Sequence, residues 1–251
     1  MVIDSYYNEI FNNMKYKHIV VVRLGLKWRY SELNQTWEEW LSNSVILMDT
    51  YCRPSLKHQN VQDFDIITLV DSTVNEYGNV LKNEIILKFD SDSDLNTKWE
   101  GDENGLMVKT INKHISKNYK DFTHILLTRL DRDDAIRYDY LMNVRKNING
   151  LKEQYIDTKS VYHYKNGVFF KCPKYLENGM VSPFVSSLEK INDGKIRCVP
   201  FFKSHTYTKK HLIGKKHKNL YALQIIHENN FSNKLKSDVI VKSINKSDYG
   251  I

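Results

Sequence analysis

Apolar residues in the first half of the chain occur in short, continuous runs that are rich in valine, isoleucine and leucine. Runs of this kind are typical of strands that are buried on both faces of a parallel sheet. They predict strands over residues 17–24, 65–71, 83–89 and 123–130. The second and fourth runs end at or next to an aspartate, so acidic side chains are expected at one edge of the sheet.

Between these runs, apolar residues recur at helical spacing instead. The spacing predicts helices over residues 36–51, 106–117 and 134–147, and a short helical turn over 54–59. Thr36 and Glu39 have the spacing of a capping box at the start of the first helix. Alternation of strands and helices predicts an α/β fold in which helices flank a mostly parallel central sheet.

The pattern changes after Gly150, where β-rich stretches follow one another. Asn166 and Gly167 separate two of them and predict a hairpin. Further strands are predicted over residues 221–227 and 238–241, and a short helix over 183–190. Because no repeat or low-complexity linker interrupts the chain, we expect one domain over residues 1–251, with halves of about 1–135 and 136–251.

The chain carries 37 Lys and Arg residues against 30 Asp and Glu residues, which gives a formal net charge of +7. This excess favours an anionic partner: nucleic acid, a nucleotide phosphate or an acidic membrane. Consecutive lysines occur only at residues 209–210 and within 215–218, so a solvated surface is an equally good interpretation, and we expect no nucleic-acid partner.

The cysteine pattern and the lack of long apolar runs bear on where the protein resides. Three cysteines without C-x-x-C spacing argue against a disulfide framework or a zinc knuckle. The N-terminal residues include acids and lack a long apolar core, so we expect no signal peptide, and no run reaches the length needed to cross a membrane. The expectation is a cytoplasmic protein without a transmembrane segment, with a peripheral position on a membrane left open.

The densest chemical signal is a group of three aspartates, Asp131, Asp133 and Asp134, which follows the fourth predicted strand. Neighbouring carboxylates repel one another, and a bound cation such as Mg²⁺ or Mn²⁺ relieves that repulsion while bridging to substrate phosphates. The alternative is structural, because aspartates also cap helices and favour their positive N-terminal end. Spacing alone leaves the two interpretations equal.

Residues 128–135, Thr-Arg-Leu-Asp-Arg-Asp-Asp-Ala, resemble the T-R-L-D-x-D-D-A segment of the putative rhamnosyltransferase family, a group within the GT-A glycosyltransferases. Three other segments agree in order: residues 54–59 with P-S-L-x-x-Q, residues 67–71 with a strand that ends in Asp, and residues 223–230 with L-Q-x-x-H-x-x-N. The family's usual tryptophan before the last segment is replaced by Tyr221 and Ala222.

The resemblance implies a GT-A fold, Rossmann-like, with a nucleotide-sugar-binding first half and an acceptor-binding second half. It implies transfer of a sugar, rhamnose by the family's name, from a UDP- or dTDP-linked donor to a glycan or other hydroxyl acceptor. The donor-binding residues would be Arg23, Gly25, Trp28, Arg29, Asp71, Arg129 and Asp131. The ligands of Mn²⁺ or Mg²⁺ would be Asp131, Asp133, Asp134 and His227.

An inverting transfer also needs a general base within hydrogen-bond reach of the acceptor hydroxyl. Related folds take this carboxylate from the second half, where Glu189 is the first candidate and Asp193 and Glu177 are rivals. Two other classes of function remain open. One is a metal-dependent nuclease or other phosphoryl-transfer enzyme, and the other is a non-catalytic protein that binds a nucleotide sugar.

Overall fold

The computed structural model describes residues 15–27, 35–91, 105–172, 180–201, 208–228, 235 and 239–251. Within these ranges, nine strands form one sheet that runs through both halves of the chain. The strands are β1 Tyr16–Gly25, β2 Asp65–Asp71, β3 Glu84–Phe89, β4 His124–Asp131, β5 Ala135–Ile136, β6 Gln154–Lys165, β7 Val168–Lys171, β8 Ser186–Lys190 and β9 Ile213–Ile225.

The sheet order is β3-β2-β1-β4-β8-β6-β9-β5, with β7 paired to β6. The first four strands are mutually parallel, β8 is antiparallel to both of its neighbours, and β6 and β9 are parallel to each other. The α/β fold class is therefore confirmed: the sheet is largely parallel, and its 3-2-1-4 order matches a Rossmann-like arrangement that is compatible with the GT-A fold.

Helices cover both faces of the sheet. They are α1 Trp37–Leu47, which continues through a π-helical turn at Met48–Cys52 into α2 Arg53–Lys57, then α3 Leu106–Asn118, α4 Tyr140–Lys146 and α5 Thr208–His211. Short 3₁₀ turns occur at Val199–Phe201 and Lys246–Tyr249. No helix in the described ranges combines the length and the apolar character needed to cross a membrane.

Successive residues of β1 point to opposite faces, and each face has its own core. Val20 and Val22 pack with the α1–α2 helix and α4, whereas Ile19 and Val21 pack with α3. Because all four side chains are fully buried, β1 is central to both cores. This burial fixes the position of the polar residues at its carboxyl end.

The predicted capping box and hairpin are confirmed. Thr36 Oγ1 accepts from the backbone N–H of Glu39, whose carboxylate accepts from the N–H of Thr36. Asn166 and Gly167 have φ values of 49° and 85°, and left-handed conformations at both central positions are what a tight two-residue hairpin requires.

Three local predictions are corrected by the structure. Residues 183–190 were predicted as a helix, but Ser186–Lys190 form β8, since β4 and β6 supply hydrogen-bonding partners on both sides. The helix predicted over 134–147 is shorter, because Ala135–Ile136 pair with β9 before α4 begins at Tyr140. The last predicted strand is reduced to one bridge, between Ile240 and Phe170, within the described part of 238–241.

Candidate functional site

The candidate site lies where the order of the parallel strands reverses direction. The chain proceeds from β1 to β2 and β3 on one side, and β4 lies on the other side of β1. Open α/β sheets bind ligands in the crevice that forms at such a point, outside the carboxyl ends of the strands. Arg23 of β1 and Asp131 of β4 are register partners here, so two predicted donor-binding residues lie side by side.

Two arginines share the carboxylate of Asp131. Arg23 Nη2 donates to Asp131 Oδ1 at 2.5 Å, and Arg129 Nη2 donates to Oδ2 at 3.2 Å. Burial would raise the pKa of Asp131, but the charges of Arg129 and Arg23 outweigh that effect and hold the pKa well below its usual range. Two guanidinium groups and one carboxylate leave a net positive charge, which suits a phosphate group.

Some arginine N–H groups at this edge have no described partner. Arg129 is buried, and its Nε makes no hydrogen bond within the described residues, although its guanidinium lies 6.0 Å from the Phe201 ring centroid. Arg132 Nε is also buried without such a bond, and its guanidinium lies 4.5 Å from the Trp40 ring centroid. Buried donors without acceptors are costly, so they indicate capacity for an anionic ligand.

Arg132 was not among the residues predicted to bind the donor. Arg129 and Asp131 share one face of β4, so their strand pattern places them together. Arg132 follows the end of the strand, and its position inside the acidic segment is its only signal in the sequence. The contact with Trp40, which comes from α1, becomes visible only in the folded chain.

Asp133 and His227 form the second pair at this edge. His227 Nε2 lies 3.0 Å from Asp133 Oδ2, although 94 residues separate them in sequence. Burial would raise the pKa of Asp133, but the contact with His227 and the charge of Arg132 lower it. The structure thus brings together a carboxylate and an imidazole that the family resemblance placed in one set of metal ligands.

Asp134, the next residue, is buried and bonded to the backbone. It is 1% exposed, and its Oδ1 accepts from the backbone N–H of Ile225 at 3.2 Å. Burial, together with the charges of Asp133 and Asp131, raises the pKa of Asp134 well above its usual range. Through its bond to the backbone, the Asp134 carboxyl group ties the segment after β4 to the end of β9, which leads to His227.

The side chains at this edge decide whether a divalent cation fits. Across the described ranges, no three His, Cys, Asp or Glu side chains are grouped so that they could hold a metal. Asp131 already pairs with two guanidinium groups, and Asp134 bonds to the backbone of Ile225. Of the four predicted ligands, Asp133 and His227 therefore fit a divalent cation best. Two protein ligands suffice for Mg²⁺ or Mn²⁺ when substrate phosphates and water complete the shell.

Asp71 ends β2 and uses both carboxylate oxygens within the protein. Oδ1 accepts from the N–H and the hydroxyl of Thr73, and Oδ2 accepts from the N–H and the hydroxyl of Ser91. These bonds outweigh burial and lower the pKa of Asp71. Lys27 Nζ lies 3.6 Å away, and its backbone N–H donates to the Ser91 hydroxyl. Asp71 thus connects the segments that follow β1, β2 and β3. Contact between Asp71 and the sugar donor stays a prediction.

Gly25 permits helix α1 to approach the end of β1. A Cβ atom there would lie 2.9 Å from the Leu41 side chain and 3.2 Å from that of Val74. This close approach gives Gly25 a packing role beside the crevice. Trp28 and Arg29, the other two predicted donor-binding residues on this segment, lie outside the described residues.

The structure does not bring Glu189 to the crevice. Glu189 pairs with Ile125, six residues before Asp131 on β4, which corresponds to a separation of about 20 Å along the strand. Its carboxylate accepts from the backbone N–H groups of Cys198 and Val199. A general base must lie within hydrogen-bond reach of its proton, so this position fits an anchor for the 198–201 turn instead.

The two rival bases do not replace it. Asp193 lies in the exposed turn after β8, farther along the same direction as Glu189. Glu177 lies outside the described residues. Neither rival carboxylate is therefore assigned as the general base of the site.

Comparison with known proteins supports the resemblance seen in the sequence. No curated protein matches the chain. A family model described as "Putative rhamnosyl transferase" matches residues 33–234, and this description indicates glycosyltransferase activity with a nucleotide-sugar donor and an acceptor. The match spans α1, β2–β9 and the acidic segment. The chain belongs to this putative rhamnosyl transferase family.

Proposed function

We propose that the protein transfers a sugar from a nucleoside diphosphate to a hydroxyl acceptor, and that the diphosphate binds in the crevice between β1 and β4. The observation that carries this proposal is the cluster of Arg23, Arg129 and Asp131, which has a net positive charge at the strand-order reversal. Family membership gives the reaction class, and the rhamnosyl group comes from the family description alone.

Positively charged residues would contact the diphosphate, and Asp133 with His227 would contact the cation. Arg23 and Arg129 would orient the diphosphate, because planar guanidinium groups offer parallel N–H donors to phosphate oxygens. Asp131, which keeps 24% of its side chain exposed, holds both arginines in place and can meet a ribose hydroxyl. Asp133 and His227 would hold Mn²⁺ or Mg²⁺. A divalent cation there supplies positive charge that stabilises the leaving diphosphate.

Asp133→Ala provides the test of this assignment. Calorimetry with UDP and dTDP, with and without Mn²⁺, measures nucleotide binding, and a panel of UDP- and dTDP-sugars measures transfer and donor hydrolysis. The wild type should bind a nucleoside diphosphate more tightly with Mn²⁺. Asp133→Ala should lose that gain and at least about 100-fold in turnover.

Asp139→Ala is the matched control. Asp139 lies on the same connection after β4, but its carboxylate is held by Arg137 at 2.6 and 2.7 Å. This variant should keep the metal dependence of the wild type. If Asp133→Ala retains full activity with unchanged metal dependence, the assigned site is wrong. If the wild type binds neither nucleoside diphosphate, the proposed donor class is wrong.

A further inference from the structure

The positive charge of the chain is concentrated in one segment. Lysines occur throughout the sequence, but residues 194–227 contain eight Lys or Arg residues and no Asp or Glu. Outside this segment, 29 Lys and Arg residues face 30 Asp and Glu residues, so the rest of the chain is nearly neutral. One stretch of 34 residues therefore accounts for the whole net charge of +7.

The described part of this segment carries four exposed lysines on α5 and at the start of β9. Lys209 and Lys210 of α5 are exposed, and so are Lys215 and Lys218 in the first half of β9. β9 pairs with β6 along residues 213–217, and on its other side the described pairing, with β5, begins only at Ala222. We call α5 together with residues 213–218 the basic edge.

α5 contacts β9, and Lys209 and Lys215 act electrostatically on neighbouring groups of β9. Burial lowers the pKa of His217, and the charges of Lys215 and Lys159 lower it further. Burial also lowers the pKa of Lys216, where Asp157 opposes the shift and Lys209 and Lys159 add to it. Like charges held together in this way raise the local attraction for an anionic surface.

One large apolar side chain is exposed within the basic edge. Ile213, at the start of β9, is 89% exposed and stands between the lysines of α5 and those at 215–218. Lysines alone would protect an open sheet edge against pairing with another chain, but an exposed isoleucine on the same edge works against that protection. A partner that binds positively charged and apolar side chains together would explain why both are exposed here.

We propose that the basic edge docks onto an anionic lipid bilayer. Lysines attract acidic headgroups, and Ile213 can enter the boundary between headgroups and acyl chains. A second copy of the chain is disfavoured, because two basic edges repel each other. Nucleic acid would satisfy the lysines but gives no role to Ile213. This proposal is independent of sugar transfer, since it concerns binding alone.

Vesicle binding tests the proposal. Sedimentation with phosphatidylcholine vesicles, with and without phosphatidylglycerol, measures the partition of the protein. Binding should require phosphatidylglycerol and weaken with salt. Replacing Lys209, Lys210, Lys215 and Lys218 with Gln should weaken it by roughly two to three orders of magnitude, and Ile213→Ser by about tenfold.

The matched control has the same change of charge elsewhere. Lys57, Lys82, Lys165 and Lys171 are exposed and lie outside the basic edge. Their replacement with Gln should leave binding within about threefold of the wild type. Thermal unfolding of all variants checks that they are folded.

Three outcomes would overturn the proposal. The wild type could fail to prefer phosphatidylglycerol vesicles. The two quadruple variants could weaken binding equally, which would show an effect of net charge only. Finally, the wild type could bind duplex DNA through the four lysines while Ile213→Ser leaves vesicle binding unchanged, which would identify nucleic acid as the partner.

Discussion

Replacement of Glu84 by Ala should destabilise the protein strongly, because it leaves a buried arginine without its main partner. Arg53 donates to both oxygens of Glu84, through Nε at 2.9 Å and Nη2 at 2.7 Å. The side chains of Arg53 and Glu84 are 3% and 0% exposed. Glu84 also accepts from the Thr68 hydroxyl at 2.7 Å and from the Leu81 N–H at 3.0 Å.

The magnitude follows from these contacts. Removing one partner of a buried ion pair costs about 3–5 kcal/mol, because the remaining charge is buried without compensation. Asp49, which accepts from Arg53 Nη1 at 2.6 Å, remains and compensates in part. We therefore expect a loss of about 3 kcal/mol, and a decrease in Tm of about 6–12 °C for a chain of this size.

Urea unfolding followed by circular dichroism measures this loss, and an exposed ion pair supplies the control. Arg197 and Glu153 are 3.2 Å apart and about one-third exposed, so Glu153→Ala should cost under about 1 kcal/mol. The double variant Arg53→Met, Glu84→Gln should recover much of the stability, since neither member of the buried ion pair stays charged and an amide oxygen can still accept from Thr68 or Leu81. Equal stability of Glu84→Ala and Glu153→Ala would refute the reasoning.

Two further predictions concern buried carboxyl groups. Asp134→Asn should keep the bond from the Ile225 N–H and nearly wild-type stability, whereas Asp134→Ala should lose about 1–3 kcal/mol in urea unfolding; equal losses would contradict an anchoring role for Asp134. Burial raises the pKa of Glu189 above its ordinary 4.5, so its stabilising contribution is complete below pH 4.5 and is lost as the pH rises through the folded value. Glu189→Gln should therefore reduce the fall in Tm above pH 4.5, and an unchanged pH profile would exclude this source.

The parallel strands of the first half could be predicted because their signal is local. Continuous apolar runs such as residues 65–71 describe a strand that is buried on both faces, whatever its neighbours are. The strand at Ser186–Lys190 has no such signal: its serines and Glu189 are buried only because β4 and β6 enclose them. Its conformation depends on the assembled sheet.

In the candidate site, too, only the features with a local signal could be predicted from the sequence. Asp131 follows a strong strand signal, so its place at the sheet edge could be inferred from sequence. The different roles of Asp133 and Asp134 could not, because they depend on contacts with His227 and Ile225 more than 90 residues away. Glu189 was nominated from its residue type, and only the folded chain shows that the 198–201 turn occupies its carboxylate.

The distance in sequence between Asp133 and His227 sets an order for assembly during protein synthesis. At about 5–20 residues per second, the 94 residues that separate them take roughly 5–20 s to translate. Arg23 and Asp131 are both present at the start of this interval, whereas the imidazole is added at its end. A nascent chain can therefore pair Arg23 with Asp131 before Asp133 can contact His227.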